Sequence, residues 1–269
     1  MHPNNNEQNR DVDSLCQYRL DVFLDMYAKN NLHVDAFSWH EFGSPDDIIA
    51  HVAHVKRLFK EKYSTTSVCR PSCPEIHINE FQGGETFFEP GWVLGYLEAL
   101  EKSNVDFVAK ACWWDVPTIE GKELYNACAT GLDGLLYIDG KTPEPAYWLY
   151  KNYVGSFADR ARLVTTSSEP KIVTLASKND ITHQIELMIG RYDGLYSDVT
   201  LTIANYPYEK NELILNIQKI PALPFPPLRP LAQPVTINPQ ILHVQDGSVS
   251  FVLPDFKSGD AYMLRIQRK

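Results

Sequence analysis

The hydrophobic period of the chain changes near residue 160, and that change restricts the fold more than any other feature. Before it, helical patterns alternate with short, nearly continuous apolar runs. Residues 18–27 set Leu20, Phe23, Leu24 and Tyr27 at helical spacing. The extended run 34–39 ends in Trp39-His40-Glu41-Phe42-Gly43, and Ser44 with Pro45, Asp46 and Asp47 forms a helix start. The predicted stripe of that helix is Ile48, Ile49, Val52, Val55, Leu58 and Phe59. A strand at 75–78 runs into Asn79-Glu80-Phe81, and a helix follows at about 90–102. A strand at 106–112 ends in Trp113-Trp114-Asp115, and an aromatic helix closes the half at 145–157. Strands of this kind, alternating with helices, predict a parallel sheet covered by helices.

Beyond residue 160 the period is two. Segments 171–177, 184–189, 198–204, 212–218, 247–253 and 261–266 are β-branched and alternating, with turn residues between them, which predicts a β-sandwich. Eight of the 18 prolines lie between Pro207 and Pro239. The run from Pro221 to Pro230 reads as a stiff connection between strands, the alternative being a segment that docks on an aromatic groove of a partner.

With 25 basic against 34 acidic residues and a formal charge of -9, the chain lacks the clustered cations that nucleic-acid backbones require. No apolar run reaches the roughly 18 residues of a spanning helix, so neither nucleic acid nor membrane is an expected partner. Met1 to Arg10 have neither a basic start nor an apolar segment, so no signal peptide is expected there. Five cysteines are sparse and odd in number, and Cys69 and Cys73 leave open a local disulfide.

Polar and aromatic residues gather at the strand ends: Trp39, His40 and Glu41; Asn79 and Glu80; Trp113, Trp114 and Asp115. In α/β barrels that end of the sheet carries the chemistry. Glu80 alone reads as readily as a solvated loop acid or helix cap as it does as a functional carboxylate. Asn79 before it adds an amide that can orient a carboxylate, and Gly83-Gly84 after it permits close backbone approach. Aromatic rings and polar groups together suit sugars, which stack their C–H faces and bond through hydroxyls. His40-Glu41 does not open a zinc helix, because Ser44 stands where a second His is needed. His51 and His54 fall on an amphipathic helix and are expected to face water. No metal and no cofactor is expected, and GxSxG, GxGxxG and phosphate-loop signatures are missing. Strand alternation warns that adjacent residues point to opposite faces, at Trp39 and His40 as at the two tryptophans.

The strings DAFSWHEFG, EIHINEF and KACWWD, followed by an aromatic helix and a β-sandwich, resemble the later part of glycoside hydrolase family 39 over residues 15–266. That family includes β-xylosidases and α-L-iduronidases. The resemblance implies a partial (β/α)8 barrel of the last three βα units over residues 1–158, and a β-sandwich domain over 159–269. It implies a retaining, double-displacement hydrolysis of O-glycosidic bonds in xyloside, uronide or related polysaccharides. Glu80 falls at the nucleophile, His40 at the histidine of the sixth strand end, and Trp113 and Trp114 at the walls of the sugar site. Trp39, Glu41 and Asn79 complete the expected substrate-binding set. Phe42 stands where the family carries an aromatic hydroxyl. The family's acid/base belongs to an Asn-Glu pair after the fourth strand, ahead of this chain's first residue, with Glu41 and Asp115 as conceivable substitutes. The partners so implied are a carbohydrate substrate and either a missing barrel half or a second copy; the setting implied for the full-length protein is extracellular or periplasmic. The alternative expectation is a carbohydrate-binding remnant without turnover.

Overall fold

The computed structural model describes residues 12–81, 89–110, 135–137, 139–157, 160–194, 197–208, 212–223, 231 and 233–269, with the side chains of 12–19 excepted. Among them three parallel strands pair in the order β1 (Ala36–Glu41), β2 (Glu75–Phe81), β3 (Phe107–Lys110). Helices α1 (Val12–Lys29), α2 (Pro45–Leu58) and α3 (Pro90–Ser103) interleave with them. The part of the third strand expected beyond Lys110, together with Trp113, Trp114 and Asp115, lies outside the described residues.

Local chemistry sets these boundaries. The Ser44 and Asp47 side chains each accept from the other's backbone N–H, a full capping box with Pro45 in the first turn. Helix α3 ends where Asn104 turns left-handed (φ 47°), and Lys56 of α2 donates to the Ser103 and Asn104 carbonyls at 2.7 and 2.9 Å. Ile48, Val52, Val55 and Phe59 pack with Ile76, Ile78, Phe81, Tyr96 and Leu100 between the helices and one face of the sheet. Ile49, expected in that stripe, is 40% exposed, and Phe23 of α1 points outward with Val22 and Met26. Cys69 and Cys73 are joined by a disulfide in the connection to β2.

The second half folds into antiparallel sheets. Six strands run in the order β4 (Ala161–Leu163), β5 (Ile172–Asn179), β6 (Gln184–Arg191), β11 (Ala261–Arg268), β8 (Glu212–Ile220), β9 (Val235–His243), and β7 (Ser197–Ile203) pairs with β10 (Val249–Phe256). A core that includes Ile185, Leu187, Leu215, Phe251, Phe256 and Leu264 fills the space between the two sheets. Helix α3 and the last helix, α4 (Pro145–Phe157), cover the other face of the six-stranded sheet through Val93, Leu94, Leu97, Leu149, Phe157, Met188 and Met263. This double cover explains the burial patterns. β5 and β6 are buried on both faces almost throughout, whereas β10 and β7 alternate because only one face is covered.

Helix α3 lies between the parallel sheet and the antiparallel one, and ten of its residues are buried. Its approach to β6 leaves no room for a side chain: a Cβ on Gly91 would sit 2.2 Å from the Arg191 carbonyl oxygen and 2.8 Å from that of Asp260. Two strands were not expected from the sequence. β4 is only three residues long, and β9 contains Pro239 inside the proline-rich stretch. Pro239 is tolerated because β9 is an edge strand and its pairing with β8 shifts register there, between Leu215 and Ile217.

Candidate active site

Strands β1 and β2 pair in simple register from Ala36 opposite Glu75 to Trp39 opposite Ile78. The next partner of His40 is Glu80, not Asn79. Asn79 is the extra residue of a β-bulge. Ile76, Ile78 and Phe81 all face the helices, so the spacing along that face goes from two to three across the bulge. The slip re-aims Glu80: in unbroken alternation it would lie with Ile76 and Ile78 on the helix side. Bulges next to functional sites re-aim side chains in this way.

The consequence is a pair on the open face of the parallel sheet. His40 Nδ1 lies 3.4 Å from Glu80 Oε2, with the side chains 53% and 33% exposed. The Phe42 ring stands edge-on to the His40 imidazole, centroids 5.8 Å apart, and Phe42 is 49% exposed. One register step lower, His77 sits beside Phe107 at 5.3 Å and bonds Glu75 at 2.9 Å. A carboxylate, an imidazole and an accessible aromatic ring are thus side by side where β1 and β2 end. Asn79 is exposed at the bulge itself.

The other residues named at these strand ends divide by face. Trp39 and Glu41 follow the phase of Phe37 and point to the helices, opposite to His40. Trp39 is half-buried against Phe37, centroids 5.8 Å apart. Glu41 is 4% exposed and accepts from Trp39 Nε1 at 3.2 Å, from the Gly43 N–H at 3.4 Å and from His51 Nδ1 at 2.6 Å. Alternation across a strand accounts for both placements. Glu41 is therefore no proton donor toward Glu80, and the expected sugar contacts of Trp39 and Glu41 have no basis on this face.

His51 was expected to face water and instead bonds Glu41. That hydrogen bond raises the imidazole pKa, outweighing the opposing effect of burial, with further help from the charges of Glu41 and Asp47. The pair is a buried carboxylate hydrogen-bonded to an imidazole at 2.6 Å. The signal was present in the sequence: Phe37, Trp39 and Glu41 share one strand face, and His51 is three residues from Ile48 and four from Val55 in the buried stripe of α2. Among the described residues no group of three or more His, Cys, Asp or Glu is arranged to hold a metal.

No family model matches the chain, and no curated protein matches it. Solved structures do. N2152 from Neocallimastix frontalis superposes with a TM-score of 0.73 at 20% identity, over 94% of this chain and 58% of that one. A glucosidase from Croceicoccus marinus matches at 0.59 and 15% identity, over 93% of this chain and 57% of that one. The GH39 enzyme from Xanthomonas axonopodis pv. citri matches at 0.59 and 14% identity, over 92% and 57%. The chain spans less than three fifths of each of these structures. The equal scores of the glucosidase and the GH39 enzyme favour neither. The chain shares the fold of the corresponding part of these structures.

Proposed function

We propose that this chain carries the nucleophile side of a retaining glycoside hydrolase site of the family 39 type, with Glu80 as the attacking carboxylate. The observation that carries the reading is the bulge at Asn79, which turns Glu80 onto the open sheet face at 3.4 Å from His40. In a double displacement a Glu80 oxygen bonds the anomeric carbon as the glycosidic C–O bond breaks, and a second carboxylate protonates the departing oxygen. Water then cleaves the glycosyl ester with the second group acting as base. The two carboxyls of such a pair stand about 5–5.5 Å apart. His40 is placed to hold the Glu80 carboxylate or a sugar hydroxyl, and Phe42 offers a ring face for the C–H side of a sugar. Asn79 supplies an amide at the rim, and Trp113 and Trp114 would wall the site.

In this reading residues 1–158 are the last three βα units of a barrel and 159–269 a β-sandwich domain. The remaining units, and the acid/base with them, come from further polypeptide. The substrate class is a xyloside, uronide or related polysaccharide, acted on outside the cytoplasm. A second reading, sugar binding without turnover, is favoured by one observation: Glu41, the nearest acid in sequence to His40, is turned to the helix side. Aryl glycosides with strongly activated leaving groups separate the two readings, because they remove the need for a proton donor. Turnover that disappears in Glu80→Ala supports hydrolysis. Binding of xylo-oligosaccharides with no turnover, unchanged in Glu80→Ala, overturns it in favour of the second reading.

A further inference from the structure

We infer that the Glu41–His51 pair is the positioning device of the site: it fixes the β1–α2 turn so that His40 and Phe42 stay aligned beside Glu80. The inference rests on the hydrolase reading above, and it adds two residues that touch neither substrate nor Glu80.

The turn contains only Phe42, Gly43 and Ser44 between β1 and α2, and Gly43 and Ser44 are tied down from the helix side. Glu41 ends β1 with its carboxylate buried, and it accepts from Trp39 Nε1, the Gly43 N–H and His51 Nδ1. The Gly43 carbonyl accepts from Tyr96 OH of α3 at 2.9 Å. The Ser44 N–H donates to Asp47 at 2.6 Å, and a Cβ on Gly43 would meet the same Asp47 oxygen at 2.5 Å. So the glycine is needed for the turn to close over the helix cap.

His40 and Phe42 flank Glu41 in sequence and project to the opposite side. Their edge-on contact is built from two exposed side chains and has little packing of its own. What holds it is the backbone between them, and Glu41 is the group that gathers that backbone. His51 matters because a carboxylate this buried needs a close, charge-assisted partner. Without the imidazole, Glu41 retains only the weaker indole and amide donors and is drawn toward water, carrying the end of β1 with it. Displacement of a reacting group by about 1 Å is enough to cost on the order of a hundredfold in rate.

The test compares His51→Leu, which removes the donor, with His51→Asn, whose amide nitrogen can occupy the place of Nδ1. Turnover of an activated aryl glycoside and the nuclear Overhauser contact between the His40 and Phe42 rings are measured on each. In His51→Leu, kcat should fall about 10- to 100-fold with KM nearly unchanged, and the ring contact should be lost. His51→Asn should restore both. A lower melting temperature in His51→Leu with unaltered kcat and an intact ring contact would overturn the inference and leave the pair a stability feature. Failure of the hydrolase reading is separable: the wild-type chain then shows no Glu80-dependent turnover, while loss and rescue of the ring contact still decide the positioning role.

Discussion

Glu144 precedes α4 and is fully buried, and neither of its carboxylate oxygens has a hydrogen-bond partner. Its backbone is well served, with the N–H donating to the Leu135 carbonyl at 2.9 Å and the carbonyl accepting from Tyr147 at 3.1 Å. Burial alone therefore acts on the acid, and it moves the pKa from 4.5 up to about 8. The helix N-terminus just beyond it favours the anion by only about 1 kcal/mol, too little to compete. An acid whose folded pKa is raised contributes stability that is complete below pH 4.5, where both states are protonated, and is lost as pH rises to about 8. Across that window stability falls by about 1.4 kcal/mol per pH unit, so that at pH 7 the ionised unfolded state has gained about 3 kcal/mol on the folded one. Glu144→Gln keeps the shape and abolishes the titration. Urea unfolding of the two proteins should give nearly equal stabilities at pH 4 and a gap opening to about 3 kcal/mol in favour of the variant at pH 7. Parallel pH profiles between 5 and 8 would refute the reasoning, since they would mean that Glu144 ionises in the folded state as readily as in the unfolded one.

Three further predictions concern packing and ion pairs. Gly91→Ala should destabilise the chain by about 3 kcal/mol, read as a lower urea midpoint, because its methyl group must displace the Arg191 and Asp260 backbone. Glu186 is 2% exposed and holds both Arg160 and Arg265, so Glu186→Ala should cost about 3 kcal/mol. Glu212, whose pair with Lys269 is open to water, should give no measurable change in midpoint when replaced by Ala.

Much of this fold is legible in the residues. The switch of hydrophobic period places the parallel strands before residue 160 and the antiparallel ones after it, and Ser44-Pro45 marks the start of α2 to the residue. The strands that escape reading do so for physical reasons. β4 is too short to show a period, and Pro239 hides β9 because a proline argues against a strand unless edge position and a register shift are already known. The site is less legible than the fold. Glu80 and His40 stand out as polar residues at strand ends, but their meeting depends on a slip of one residue at Asn79. The trace of that slip is the uneven spacing of Ile76, Ile78 and Phe81, which acquires meaning only once β2 is paired with β1. Trp39 and Glu41 mislead for the converse reason: adjacency in sequence to His40 puts them on the opposite face.

The account depends on Glu80 acting as the attacking carboxylate. The most direct measurement is inactivation with a 2-deoxy-2-fluoro xyloside bearing an activated leaving group, followed by mass mapping of the labelled peptides. The account predicts a single glycosyl ester, on Glu80, absent from Glu80→Gln. Label on any other carboxylate, or no label at all, would contradict it.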